Sequence, residues 1–199
     1  MTISMEMAKA TLTHYVVDAR ASRFTVQAFA TGILSAMGHN PTIGIRSFSG
    51  EVDFNPEMLQ GSRFRMNIQT ASLKVQDDIS DKDSREIERL MNEQVLEISK
   101  YPEAQYEAPA ISITGLGGSS YSAALAGNLT FHGVTQRKQV SARITLFGTM
   151  LRASGDFTLD QSDYQIKPVS VAGGALKLKD ELKFSFEMVA RQQGREELA

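Results

Sequence analysis

The stretch YSAALAGNLTFHGVTQRKQVSARITL, residues 121–146, carries the pattern that decides the fold. Apolar and polar side chains alternate along it. In its second half, one face holds the apolar residues Val140, Ala142, Ile144 and Leu146, and the residues between them are polar or charged. Strict alternation indicates a β-strand with one buried face and one wet face. Such strands are typical of antiparallel sheets.

The same alternation recurs on both sides of this stretch. It is found in RFTVQA (23–28), EVDF (51–54), RFRMNIQ (63–69), DFTL (156–159) and ELKFSFEM (181–188). Turn-forming residues separate the runs, among them Asn40-Pro41, Asn55-Pro56 and Gly173-Gly174. About eight short strands at regular spacing predict an all-β sandwich or barrel. Periodicity alone leaves both open, although closing the sheet into a barrel would remove its unpaired edges.

One segment, DDISDKDSREIERLMNEQVLEISKYP (77–102), departs from this pattern. Its apolar residues Ile87, Leu90, Met91 and Val95 follow helical spacing. Ser80, with Asp83 three residues later, resembles a capping box at a helix start. The sequence therefore predicts one amphipathic helix, which plugs one end of a barrel or covers its mouth.

Composition narrows the class of protein. The chain has 199 residues, a formal net charge of -2 and no cysteine, which excludes disulfides and thiolate metal sites. Near-neutral charge gives no electrostatic footprint for nucleic acid, and no apolar run approaches the ~20 residues of a membrane span. Because the first residues lack an apolar signal core, we expect a cytoplasmic protein without stable membrane insertion. We expect one barrel domain at 14–190, between an N-terminal tail at 1–13 and a C-terminal tail at 191–199.

Residues that could carry chemistry are scattered. His14, His39 and His132 lie in three separate segments without metal-ligand spacing, and the aspartates at 77–83 lack the turn glycine of a calcium loop. The glycine-rich GLGGSS (115–120) is a hairpin loop and not a phosphate cradle. No catalytic motif is present, so we expect a protein that is not an enzyme and that needs no metal or cofactor. His39, in the turn GHNP, either bonds to backbone or meets a ligand head group.

Five motifs follow one another along the chain. They are YVVDARASRFTV near the start, FSGEVDFNP, KYPEAQYEA, GNLTFHGVTQRKQV and GDFTLDQSDYQI. In this order they resemble the polyisoprenoid-binding, YceI-like family, from about Tyr15 to Val189. The resemblance implies an extended lipocalin-like barrel of eight antiparallel strands with an isoprenoid chain in its lumen. It also implies binding or carriage of isoprenoid quinones or polyprenyl phosphates, and it carries over no catalytic residues.

The predicted ligand contacts are apolar residues in the inward phase of the strands. They are Phe24, Val26, Phe54, Met66, Ile68, Leu125, Leu129, Ile144, Phe157, Phe184 and Phe186. On the helix, Ile87, Leu90 and Met91 would close one end, and His39 and Arg46 are the candidates for a polar head group. Two alternatives stay open: a scaffolding barrel with a filled core that binds a partner protein, and an enzyme acting on an apolar substrate through His39. A homodimer also stays open. A continuous lumen is the feature that separates the lipid-binding hypothesis from the scaffold.

Overall fold

The structure is a computed structural model that describes residues 12–31, 40–56, 61–109, 111–171 and 176–193. The strands are β1 Thr13–Val17, β2 Arg23–Thr31, β3 Thr42–Ile45, β4 Phe48–Phe54, β5 Arg63–Gln69, β6 Leu73–Val75, β7 Glu103–Ala108, β8 Ile111–Gly117, β9 Ser120–Phe131, β10 Val134–Phe147, β11 Met150–Asp160, β12 Ser170–Val171 and β13 Leu176–Gln192. The helix α1 spans Asp81–Leu90 and continues as a π-helical turn, Met91–Val95. Short 3-10 turns occupy Thr70–Ser72 and Gln161–Tyr164.

A closed antiparallel sheet forms the body of the molecule. The strand order is β1-β4-β5-β7-β9-β10-β11-β13, and β13 returns to pair with β1, which makes an eight-stranded barrel. The closing ladder places Val17 opposite Ala190 and Tyr15 opposite Gln192. The prediction of an antiparallel eight-stranded barrel with one helix is confirmed, and the sandwich is excluded. The last strand continues past residue 190, where the sequence predicted the tail to begin.

The sheet has a branch that extends beyond the closed barrel, because β13 pairs with two different strands on the same side. The long strand β13 pairs with β1 near its carboxyl end and with β2 between Lys177 and Glu187. β2 then pairs with β3, and β3 with β6, so this extension of the sheet ends at the short edge strand β6. The turn between β1 and β2 is fixed by Asp18, whose carboxylate accepts hydrogen bonds from the backbone N–H groups of Arg20 and Ala21 and from the Arg191 guanidinium.

The helix α1 lies along that exposed edge. The Glu88 carboxylate accepts a hydrogen bond from the Val75 backbone N–H at 3.1 Å and pairs with the Lys74 ammonium at 2.7 Å. An unpaired strand edge is normally covered or charged in soluble proteins, and here the helix covers it. The predicted N-cap is confirmed, because the Ser80 hydroxyl accepts the Asp83 N–H at 3.1 Å. No helix in the described part of the chain is long and apolar enough to cross a bilayer.

A compact layer of side chains closes the barrel at the end remote from α1. We call this layer the floor; it consists of Tyr15, Val17, Phe54, Ala108, Ala123 and Ala190, all nearly inaccessible to solvent. The Phe54 side chain is only 1% exposed and meets the Tyr121 ring edge-on, with the centroids 5.5 Å apart. Alanines around these rings leave room for them to fill the centre. The barrel is therefore solid at this end.

Candidate functional site

Above the floor, the barrel encloses a cavity of about 770 Å³. Its lining runs from Leu90 on α1 to Leu151, which pairs with Ala190 of the floor. A volume of this size lies within the ~300–1,000 Å³ range of small-molecule sites. The barrel therefore has a continuous lumen, the feature on which the lipid-binding hypothesis depends.

Most of the predicted contact residues line this cavity. They are Phe24, Val26, Met66, Ile68, Ile87, Leu90, Met91, Leu125, Leu129, Ile144, Phe157, Phe184 and Phe186. The alternation predicts these residues because inward positions on neighbouring strands lie opposite one another in the sheet. Phe157 pairs with Phe184, and Phe184 pairs with Val26. The rings of Phe157 and Phe184 stack nearly parallel at 4.8 Å. The result is a continuous apolar wall.

Two of the predicted contacts lie elsewhere, and one cannot be placed. Phe54 does not line the cavity, contrary to the prediction, because it points inward at the level of the floor, where it is packed. Arg46 is exposed in the break between β3 and β4, where the regular inward phase is interrupted, and it does not line the cavity either. His39 lies outside the described residues.

Small residues make room along the wall. The alanines Ala28, Ala104, Ala142 and Ala153 stand at inward positions and line the cavity.

At Gly127 the Tyr106 ring lies directly over the backbone, and an added Cβ would come within 2.6 Å of it. The Tyr106 hydroxyl is 3.1 Å from the carbonyl oxygens of both Leu125 and Lys138, to which it can donate. Burial raises the pKa of Tyr106 to about 12, so this hydroxyl remains a hydrogen-bond donor at neutral pH.

Carboxylates surround the end of the cavity near α1. Asp77, Asp78 and Asp83, together with Ser80, belong to its lining. Asp77 also accepts the Thr42 backbone N–H at 2.8 Å, which ties this loop to β3. The sequence indicated only helix-start charges and a solvated loop here, because their nearness to the lumen depends on how α1 folds back over β6. We call these residues the acidic rim.

The two described histidines belong to separate networks. His14 pairs with Asp53 at 2.9 Å on the outside of the barrel. Burial works to raise the pKa of Asp53, but hydrogen bonds from Arg63 and His14 outweigh it and hold that pKa below its usual value.

His132 bonds to Glu97 at 2.9 Å and to the Tyr164 carbonyl oxygen, beside the Tyr101 ring. These contacts tie the segment after α1 to the β9–β10 turn. Among the described residues, no group of three or more His, Asp or Glu side chains could hold a metal.

The fold and the cavity define a class: closed antiparallel β-barrels with an internal apolar lumen and one covering helix. Within that class the chain belongs to the YceI-like family, since the model of the YceI-like domain matches residues 15–190. A UPF0312 protein of Pseudomonas savastanoi pv. phaseolicola is 26% identical over 185 residues, covering 89% of this chain and 87% of that protein. The resemblance inferred from the five motifs is thereby confirmed.

Solved structures share the fold. A polyisoprenoid binding domain from Saccharophagus degradans superposes with a TM-score of 0.66 at 14% identity, covering 92% of this chain and 99% of that one. BcnA of Burkholderia cenocepacia gives a TM-score of 0.65 at 20% identity, covering 87% of this chain and 98% of that one. At 14% and 20% sequence identity, the similarity shows that the barrel fold is shared.

Proposed function

We propose that the protein binds a long isoprenoid lipid, of the quinone or polyprenyl phosphate type, in the lumen of the barrel. The observation that carries the proposal is the hollow above the floor: about 770 Å³ enclosed by stacked aromatic and aliphatic side chains. Membership of the YceI-like family and the fold shared with the polyisoprenoid binding domain of Saccharophagus degradans support the choice of an isoprenoid.

The energetics suit a slender hydrocarbon. Burial of apolar carbon contributes roughly 0.8 kcal/mol per methylene group, so each isoprene unit that enters the lumen adds a few kcal/mol before the entropic costs of binding. The tail needs no precise polar contacts, which agrees with the mainly aliphatic and aromatic wall. The alternative of a scaffolding barrel required a filled core, and the cavity counts against a filled core.

The direct test is native mass spectrometry of the protein purified from bacteria, followed by lipid identification in an organic extract. We expect an isoprenoid to co-purify or to be taken up when a short-chain ubiquinone or geranylgeranyl phosphate is added. Absence of bound lipid together with no uptake of either probe would overturn the proposal.

A matched pair of variants tests where the lipid lies. Ala28 is 6% exposed and lines the cavity, whereas Ala126 faces outward on β9. Ala28→Trp would fill part of the lumen and should weaken uptake by about tenfold or more, equivalent to about 1.4 kcal/mol. Ala126→Trp adds the same ring outside and should leave uptake unchanged. Equal effects of the two substitutions would place the lipid outside the barrel.

A further inference from the structure

Lys138 is a charged residue on the inner face of the barrel wall. It stands two residues before Val140 on β10, in the same phase as the buried residues Val140, Ala142 and Ile144. It is half-buried and lines the cavity. Along the same face, Val140 belongs to the core cluster that includes the floor, and Val134 packs against a second cluster around Tyr164. Lys138 therefore lies partway along the lumen, between these two clusters.

The Lys138 ammonium has no protein partner in the described part of the chain: no carboxylate lies within 4.0 Å of it and no acceptor is hydrogen-bonded to it. A lysine stem can cover apolar surface, and the ammonium at its end can donate three hydrogen bonds. A ligand that brings an acceptor oxygen to this point would supply the missing partner.

A second polar group faces the same space. Gln161 is 3% exposed and lines the cavity, and its amide nitrogen donates to the carbonyl oxygens of Lys179 at 3.0 Å and Asp180 at 3.3 Å. These bonds occupy both N–H groups of the amide, so Gln161 has no N–H left to donate to a ligand. The exposed part of the lining carries both signs of charge: Lys177 belongs to it as well as the carboxylates of the acidic rim, and those carboxylates repel a phosphate or a carbonyl oxygen.

We propose that Lys138 binds the polar end of the isoprenoid, and that this end carries a hydrogen-bond-accepting oxygen, either a quinone carbonyl or a phosphate. The polar end then lies inside the barrel and not at the acidic rim. This inference rests on the proposed function and adds to it a specificity-determining residue and a chemical requirement for the ligand.

The experiment compares three probes: geranylgeranyl phosphate, a short-chain ubiquinone and squalene, which has no oxygen. Each is offered from detergent micelles, and occupancy is measured by native mass spectrometry. Lys138→Met keeps an unbranched side chain of similar length without the charge. We expect it to weaken binding of the two oxygen-bearing probes by about tenfold or more, the loss typical of a charge-assisted hydrogen bond. Squalene binding should stay within about twofold, which also shows that the variant folds.

Two further variants isolate the cause. Lys138→Arg retains a donor and a positive charge and should restore most of the affinity. Arg137→Met removes the neighbouring charge, which is exposed on the outer face, and should have no effect. A greater loss for the phosphate than for the quinone would identify an anionic head, and the reverse a carbonyl.

The outcomes separate this inference from the proposed function. If the wild-type protein binds squalene and the oxygen-bearing probes with affinities that Lys138→Met leaves unchanged, or lowers equally, the role of Lys138 is wrong while lipid binding stands. If the wild-type protein takes up none of the three probes, the proposed function itself is wrong.

Discussion

The floor and the end covered by α1 are built from the same alternating strands, yet one is solid and the other encloses a lumen. At the floor, the rings of Tyr15 and Phe54 fill the centre among alanines. Above it, Phe157 and Phe184 come from directly paired positions on neighbouring strands and stack face to face, so they lie along the wall. The two-residue alternation of a strand determines which side chains point inward. The placement of the aromatic rings determines whether the barrel interior is filled.

The two ends are also closed in different ways. The floor end is held by the continuous β1–β13 ladder. The other end depends on α1, which is attached to the edge strand β6 through Glu88. It also depends on the segment after α1, which is attached to the β9–β10 turn through the Glu97–His132 bond. Local stability varies within a protein, and regions with few buried contacts open first. We therefore expect the floor to hold the barrel together and the α1 end to open for a ligand.

The largest expected effect comes from truncating a ring at each end. Phe54→Ala should lower the free energy of unfolding by about 3–5 kcal/mol, because it leaves a new void in a packed layer. Phe184→Ala should cost clearly less, since its ring already borders a cavity. Urea denaturation of both variants measures the difference. An equal loss of stability would mean that the two ends are packed alike.

The attachment of α1 should give the next largest effect. Glu88→Ala removes the acceptor of the Val75 N–H and the partner of Lys74. Loss of such a bond costs about 1–3 kcal/mol. We expect this loss to appear as faster amide hydrogen exchange in α1 and at Val75, with exchange at Val17 of the floor unchanged.

Glu86→Ala is the control for that experiment. Glu86 is exposed on the same helix and pairs with Arg89. Because exposed ion pairs contribute little to stability, its removal should change exchange at Val75 little. If the floor amides accelerated as much as those of α1, the two ends would unfold as one unit and the division between them would be wrong.

The sequence pattern predicted which residues point into the barrel better than it predicted how deep in the barrel each side chain lies. Alternation identified the inward residues and hence most of the cavity wall, but two-residue periodicity cannot say how far along the barrel a side chain lies, so Phe54 was assigned to the lumen. Arg46 was predicted as a head-group contact from its closeness in sequence to the turn GHNP, and closeness in sequence does not determine where a side chain in the break between β3 and β4 points. Lys138 was detectable: extending the alternation of Val140, Ala142 and Ile144 back by two residues places a lysine inside. The acidic rim depends on the long-range packing of α1 on β6 and has no local signal.

The smallest expected effect concerns the first turn of α1, where the cap meets the cavity. Ser80→Ala removes the hydroxyl that accepts the Asp83 N–H, and loss of an N-cap typically costs about 1 kcal/mol. Because Ser80 also lines the cavity, fraying there should speed the release of a bound lipid, measured by transfer to empty vesicles, while the urea midpoint changes little. Ser84→Ala, one turn further along the same helix, leaves the cap intact and should leave release unchanged. If both variants released lipid at the wild-type rate, the route out of the barrel would lie away from the start of α1, and the acidic rim would not be its mouth.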